Sequence, residues 1–294
     1  WMDLSWAYGH SLGNESNMVL SSMLDRLLAE FTFGDFVATI GRQRINWGQT
    51  FAWNPNDIFN TYSYFDVDYP ERPGSDAIRL QYYTGIASNI EVAAKVDHDK
   101  KVTAAAYYRF NSGGYDFQVL TGVLSESDLV AGTGWSGSIL NASFRGEASY
   151  FRDLENFSDT SGYLMLSTGL DYTFGSSLWL QGEVLYSGFA KNSKPLNIMQ
   201  LMGSDINIKN LGFTQWSFFS SVSYPFTPLF NGSLAGMYFP GWKGFYIGPS
   251  FEFSLSDNLS ASLISQVFSL VQDQGAGDER STYFIGYFRF KWSF

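Results

Sequence analysis

The sequence has 294 residues, 18 Lys and Arg against 28 Asp and Glu for a formal net charge of -10, and no cysteine. The missing cysteine excludes disulfide scaffolds, thiol catalysis and cysteine-based zinc sites, and the acidic balance argues against a nucleic-acid partner. Aromatic residues make up 18% of the chain and charged residues only 16%, which excludes a disordered chain.

Strand-like alternation of apolar and polar residues covers nearly the whole chain. Clear examples follow one another at residues 78–82, 144–150, 164–174, 178–187, 215–224 and 287–294. In the last of these, Phe288, Phe290 and Trp292 share one face, and Arg289 and Lys291 share the other. No stretch approaches the ~20 apolar residues of a spanning helix, whereas a spanning strand needs only about 9–11. A transmembrane barrel and a soluble β-sandwich both fit this pattern.

The gaps between the alternating segments favour the barrel. Long gaps lie at 13–19, 50–75, 98–101, 125–128, 152–161, 188–211, 240–244 and 272–280. Short gaps lie at 34–35, 85–89, 111–114, 140–141, 175–177, 225–228 and 256–258. Long outer loops and short periplasmic turns alternate in this way in outer-membrane barrels, and the apolar faces also end in aromatic residues, as membrane girdles do.

We therefore predict an all-β fold: a single transmembrane antiparallel up-and-down β-barrel over residues 1–294. It should have about 16 strands, with roughly 14 or 18 as alternatives, and long extracellular loops near 50–75 and 188–211. Two features fit badly. A strand from Phe36 to Trp47 places Arg42 and Arg44 on the face that begins with Phe36, and Pro249 interrupts another strand, where we expect a bulge.

One motif is familiar. Residues 41–48 read Gly-Arg-Gln-Arg-Ile-Asn-Trp-Gly, follow a hairpin over 24–35 and lead into polar segments at 53–57 and 72–76. This region resembles porin-like outer-membrane β-barrels of Gram-negative bacteria, including the alginate-export type with its GRQ-x-x-x-WG strand. The terminal Phe294, preceded by aromatics, is similar to the insertion signal of such barrels. The resemblance implies location in the bacterial cell outer membrane, in contact with its lipid and lipopolysaccharide.

Alternation in a barrel predicts which charged side chains line the lumen. These candidates are Arg26, Glu30, Arg42, Arg44, Arg79, Arg109, Arg145, Glu147 and Glu183. If loop 50–75 folds inward, its acidic residues would face the basic cluster and form a constriction that filters solutes by charge. The acidic residues of this constriction loop are Asp57, Asp66, Asp68, Glu71 and Asp76. Alternatively, the charges pair with one another in a plugged lumen.

Aromatic side chains at the same loop have two interpretations. They are Trp47, Phe51, Trp53, Tyr62, Tyr64 and Phe65. Such rings suit stacking on sugars, but packing within the loop or a membrane girdle is the favoured interpretation.

The sequence gives little support for a catalytic site or a metal site. The loop carboxylates are oxygen ligands that suit calcium, but their spacing matches no EF-hand. His98 lies between Asp97 and Asp99 in a turn, where a solvated histidine is the simpler interpretation, and no Gly-x-Ser-x-Gly elbow is present. We predict no catalytic residue, no metal and no cofactor.

Two functional hypotheses remain. The first is a porin-like channel for passive diffusion of small hydrophilic solutes, filtered by lumenal charges and an inward-folded loop. The second is a structural or accessory barrel with a plugged lumen, one subunit of a larger outer-membrane complex, whose outer face contacts other outer-membrane subunits.

Overall fold

A computed structural model describes residues 5–10, 18–66, 74–159, 161–190, 207–273 and 278–293. Its strands are β1 (Ser5–His10), β2 (Met18–Met23), β3 (Leu27–Phe33), β4 (Phe36–Gln43), β5 (Ser75–Gly85), β6 (Ser88–Val96), β7 (Val102–Ser112), β8 (Tyr115–Leu124), β9 (Asp128–Ile139), β10 (Ala142–Asp153), β11 (Tyr163–Thr173), β12 (Trp179–Ser187), β13 (Trp216–Thr227), β14 (Phe230–Phe239), β15 (Gly244–Ser256), β16 (Leu259–Asp273) and β17 (Asp278–Trp292). Short 3-10 helices cover Ile208–Asn210 and Pro240–Trp242. Within these ranges, no helix has the length and apolar character needed to cross a membrane.

Strands β3 to β17 form one fifteen-stranded sheet in which each strand pairs with its neighbours in sequence. Every ladder is antiparallel, and β1 pairs with β2 in a separate two-stranded sheet. The ladders of the described residues include none between β3 and β17. The predicted all-β, antiparallel, up-and-down architecture is confirmed, with a strand number close to the predicted one.

The connections at the two ends of the sheet differ in length, as predicted. At one end, here called the short-turn end, they are residues 34–35, 86–87, 113–114, 140–141, 174–178, 228–229 and 257–258. At the opposite, long-loop end they include 44–74, 154–162 and 188–215. Gly34, Leu140 and Asn141 adopt φ values of 58°, 49° and 68°, the left-handed backbone that two-residue hairpin turns require.

The outward face of the sheet is apolar. On β17, Phe288, Phe290 and Trp292 are 65%, 60% and 70% exposed, while the intervening Arg289 and Lys291 belong to the inward rows. Near the short-turn end, neighbouring rings of β13, β14 and β15 contact one another in a chain: Tyr224, Phe226, Phe230 and Phe253. Apolar exteriors with aromatic girdles are typical of barrels that face lipid. Phe294 of the predicted insertion signal lies outside the described residues.

Both badly fitting segments have a physical explanation. Strand β4 ends at Gln43, so Arg44 belongs to the following loop and not to the strand. Pro249 pairs with Leu234 in an unbroken register, and the irregularity of β15 lies between Ser254 and Ser256 instead. The predicted bulge at Pro249 was therefore wrong. Gly248 and Pro249 have no partners in the β15–β16 register, so the residue without an N–H lies where this ladder is interrupted.

A charge on the outward face should destabilise the barrel more than the same charge on the inward face. Leu234, near the centre of β14, is 46% exposed on the outside, and its neighbour Ser233 belongs to the inward row. We expect Leu234→Arg to lower the free energy of unfolding in lipid vesicles by about 2–4 kcal/mol. Ser233→Arg should cost less in the same urea titration. Equal losses for the two variants would contradict the assignment of the faces.

Candidate functional site: a loop inside the barrel

The segment that follows β4 runs inside the sheet. We call residues 44–66 the lumenal loop. Its residues Ile45, Trp47, Trp53, Ile58 and Phe59 are at most 4% exposed. Because the outward face of the sheet carries the exposed apolar residues, these side chains are enclosed by the inward wall. Residues 44–66 therefore pack against the inward wall of the sheet.

Glu147 of β10 holds the first turn of the lumenal loop. The backbone N–H groups of Gln49 and Thr50 both donate to its Oε1 atom, the latter over 2.8 Å. Asn56 N donates to Oε2 over 2.8 Å, and the Thr50 hydroxyl donates to Oε1 over 3.1 Å. The Glu147 side chain is fully buried. A buried carboxylate is tolerated when donors surround it in this way.

Glu183 of β12 holds the next residues of the loop. Its Oε2 atom accepts from Phe51 N over 2.9 Å and from Ala52 N over 3.1 Å. Its Oε1 atom accepts from Trp53 N and from the Ser167 hydroxyl, each over 2.9 Å. Glu183 is 2% exposed. Two wall carboxylates thus bind six backbone N–H groups of the lumenal loop, which irregular backbone away from water needs.

A backbone carbonyl of β9 and a serine of β10 hold Pro55 and Asn56 of the loop. The Ser149 hydroxyl is 3.0 Å from the Pro55 carbonyl oxygen and 2.6 Å from Asn56 Oδ1. Asn56 Nδ2 donates to the Thr133 carbonyl over 3.0 Å. A Cβ atom at Gly132 would lie 2.6 Å from Asn56 Oδ1, so the glycine leaves the space that the asparagine fills.

On the β5–β8 side, the loop contacts an ion pair. Arg79 binds Glu91 through two hydrogen bonds of 2.7 and 2.8 Å. Trp47 Nε1 donates to the same carboxylate over 2.6 Å. The Trp47 ring stacks on Tyr107 with centroids 5.1 Å apart, and its carbonyl accepts from Gln118 Nε2 over 2.8 Å. One tryptophan therefore joins the loop to three neighbouring wall strands.

On the β13–β16 side, the contacts are mainly aromatic. The ring of Tyr64 lies 5.0 Å from that of Phe219, and the ring of Phe65 lies 5.0 Å from that of Tyr246. Gln266 Nε2 donates to the Phe65 carbonyl over 3.0 Å. Burial raises the pKa of the Tyr64 hydroxyl, so this group stays neutral. The loop therefore contacts the wall from β6 to β16.

A cavity of about 420 Å³ lies between the lumenal loop and the wall strands β12–β16. We call it the serine chamber. It is lined by Phe51, Tyr64, Trp179, Ser221, Ser223, Asn231, Ser233, Ala235, Tyr246, Gly248, Ser250 and Ile264. None of these side chains is charged. The wall residues among them lie in inward rows that lead from Phe219 toward the short-turn end.

Three of the predicted lining arginines lie in inward rows. Arg79 is bound to Glu91. Arg145 forms a 2.6 Å ion pair with Asp171 and is about one-third exposed. The side chain of Arg109 is exposed. Among these three arginines, Arg109 and Arg145 have the most access to lumenal water.

The predictions for Glu147 and Glu183 need a correction. Both belong to inward rows, as predicted, but the lumenal loop covers them completely. Their oxygens are occupied by loop N–H groups, so they anchor the loop and do not face water.

The prediction for Arg42 and Asp76 was wrong in orientation. The two residues are register partners and form an ion pair with bonds of 2.8 and 3.0 Å. Their row is the one that continues with Ile40 and Ile78, each about half exposed on the outside. Because side chains alternate along a strand, this row is the outward one.

The remaining predicted residues do not form one acidic-against-basic constriction. Arg26 and Asp66 are exposed, and Glu30 is exposed in the inward row of β3. Arg44 is half-buried in the loop, and Asp57 is 1% exposed. The other two predicted loop carboxylates, Asp68 and Glu71, lie outside the described residues.

The fold is similar to that of solved bacterial outer-membrane channels. OccK10 (OpdN) of Pseudomonas aeruginosa matches with a TM-score of 0.57 and 11% identity, over 96% of this chain and 86% of that chain. OccK11 (OpdR) of the same organism matches with a TM-score of 0.58 and 9% identity, over 94% and 80%. The outer membrane protein opdK from Pseudomonas aeruginosa matches with a TM-score of 0.53 and 11% identity, over 90% and 79%.

No protein-family model matches the sequence, and a search of curated proteins finds no match either. The structural likeness, at about 10% identity, concerns the fold. The chain has the fold of porin-type β-barrels, with an apolar exterior and an inward loop.

Removing a carboxylate anchor should release the lumenal loop. Ala52 is 1% exposed, and because the chain has no cysteine, Ala52→Cys gives a single thiol for a water-soluble maleimide. Adding Glu183→Ala removes the acceptor of three loop N–H groups, those of Ala52 and Trp53 being buried, at about 1–3 kcal/mol per buried group. We expect the labelling rate to rise about tenfold or more, since ~1.4 kcal/mol corresponds to a factor of ten.

Glu252→Ala is the matched control, because Glu252 is an exposed carboxylate in an inward row of β15. It should leave the labelling rate of Ala52→Cys unchanged. A slow rate in the Glu183→Ala background would show that the loop does not depend on this anchor.

Proposed function

We propose that the protein is an outer-membrane channel through which small hydrophilic solutes diffuse passively, and that the lumenal loop forms its constriction. The proposal depends on one observation: the lumenal loop, which is part of the connection between β4 and β5, contacts wall strands from β6 to β16. A segment fixed across the lumen would limit the size of the solutes that pass through the barrel.

The distribution of charged residues supports selection of solutes by charge as well as by size. The exposed Arg109 and the Arg145–Asp171 pair lie on β7 to β11, whereas the serine chamber between β12 and β16 has no charged lining residue. A solute near the loop therefore meets charged groups on one side and neutral ones on the other. Charged side chains in a pore select ions by sign.

The accessory-subunit hypothesis also has an observation in its favour. The lumenal loop is densely packed, with fully or almost fully buried residues such as Ile45 and Asn56, as a plug would be. In this alternative the outward aromatic face contacts other outer-membrane subunits, and the lumen carries no flux.

Conductance in a planar lipid bilayer separates the two functions. The channel proposal predicts stable, stepwise open-channel currents from purified protein. In a salt gradient, Arg109→Ala should shift the reversal potential toward cation preference, because a lumenal positive charge is lost.

Arg152→Ala serves as the control, because Arg152 is outside the inward rows and binds the Phe157 carbonyl near the long-loop end. Its reversal potential should equal that of the unmodified protein. Absence of current steps in any preparation would favour the plugged accessory barrel. If Arg109→Ala gives current steps with an unchanged reversal potential, Arg109 does not take part in charge selection.

A further inference from the structure

The serine chamber has the chemistry of a binding site for an uncharged solute. We propose that it is a binding site for a neutral sugar, a hexose or a short oligosaccharide of hexoses, on the solute path. This inference rests on the proposed channel function and names the class of solute that the channel would carry.

The size of the chamber fits a small ligand. Its volume of about 420 Å³ lies within the usual range of roughly 300–1,000 Å³ for ligand pockets. Ala235 and Gly248, which are neighbours across the β14–β15 ladder, keep the wall thin at its centre. A Cβ atom at Gly248 would clash with the Tyr246 hydroxyl, and a larger side chain at Ala235 would reduce the space.

Hydroxyl groups are arranged in a continuous row along one wall. Ser223 of β13, Ser233 of β14 and Ser250 of β15 are successive register partners, with Ser221 in the adjacent inward row. Within the described residues, the hydroxyls of Ser221, Ser233 and Ser250 make no hydrogen bond to another protein group. They are therefore available as donors and acceptors for the hydroxyls of a solute.

Aromatic rings give another part of the chamber an apolar surface. Trp179 begins β12 at the end of the serine row, as the register partner of Ser223. Phe51 of the lumenal loop lies 6.0 Å from the Trp179 ring and 6.0 Å from Tyr64. A pyranose ring has an apolar face and polar edges, so rings on one side and hydroxyls on the other match both parts of it.

The electrostatics of the chamber disfavour charged and apolar solutes. No lining residue is charged. Two inward carboxylates lie beside the lining: Asp171, which is paired with Arg145, and the exposed Glu252, the register partner of Asn231. An anion inside the chamber would lose hydration without gaining an ion pair, and a cation would gain only a contact with the solvent-exposed Glu252 at its edge. A wholly apolar solute would leave the serine hydroxyls without partners, which costs binding free energy. A neutral polyhydroxylated ring avoids both penalties.

Two measurements on the purified full chain in detergent or lipid test the inference. Saturation-transfer NMR detects binding of glucose directly and needs no current. Bilayer recordings then test whether glucose, added on one side, blocks the open-channel current in a concentration-dependent way. Gluconate and glucosamine at matched ionic strength are the charged comparison solutes.

We expect glucose to bind and to block the current, with weaker effects from both charged analogues. Trp179→Ala should weaken glucose binding roughly tenfold, as truncation of an aromatic anchor does, and Trp179→Phe should restore most of it. Trp216→Ala is the matched control, since Trp216 is 46% exposed on the outward face, and it should bind glucose normally.

The outcomes separate the two proposals. Open-channel currents without glucose binding, or glucose binding that Trp179→Ala leaves unchanged, would overturn the sugar site but not the channel. Stronger binding of gluconate or glucosamine than of glucose would also overturn it. Glucose binding that depends on Trp179, without any open-channel current, would support the site and contradict the channel.

Discussion

The architecture of the lumen depends on hydrogen bonds from one loop to two buried carboxylates. Irregular backbone inside a barrel must find acceptors for its N–H groups, and a carboxylate removed from water must find donors. Glu147 and Glu183 satisfy both requirements, because each accepts three backbone N–H groups of the lumenal loop. This mutual satisfaction fixes where the loop lies, and with it the position of the serine chamber.

The fixed loop gives the lumen two different sides. Toward β5–β8, Trp47 is bound to the Arg79–Glu91 pair, so the wall there is ionic. Toward β12–β16, Tyr64 packs against aromatic rings, and the wall beyond it carries serines. Charge selection and recognition of neutral solutes would thus take place on opposite sides of one segment. The exterior has no part in this division, because its rows are mainly apolar.

The sequence predicted the barrel well because period-two alternation and turn length are local signals. Hairpin turns such as Leu140–Asn141 lie where the sequence places them. The inward parity of Glu147 and Glu183 was also predictable. That the lumenal loop covers these two carboxylates could not be predicted, because the loop residues that bind Glu147 lie 91 to 98 positions earlier in the chain. Arg42 was assigned to the lumen against its parity, which groups it with Ile40, and Ser149 looks like any other polar inward residue in the sequence.

The most direct test of the anchored loop is a disulfide between the loop and the wall. In the chain, which lacks cysteine, Asn56→Cys and Ser149→Cys together place two thiols where side-chain atoms now lie 2.6 Å apart. If the loop occupies the lumen as described, the bond should form on mild oxidation, detectable as a reductant-sensitive gel shift of the boiled protein. Failure of these two thiols to join in the folded barrel would contradict the account.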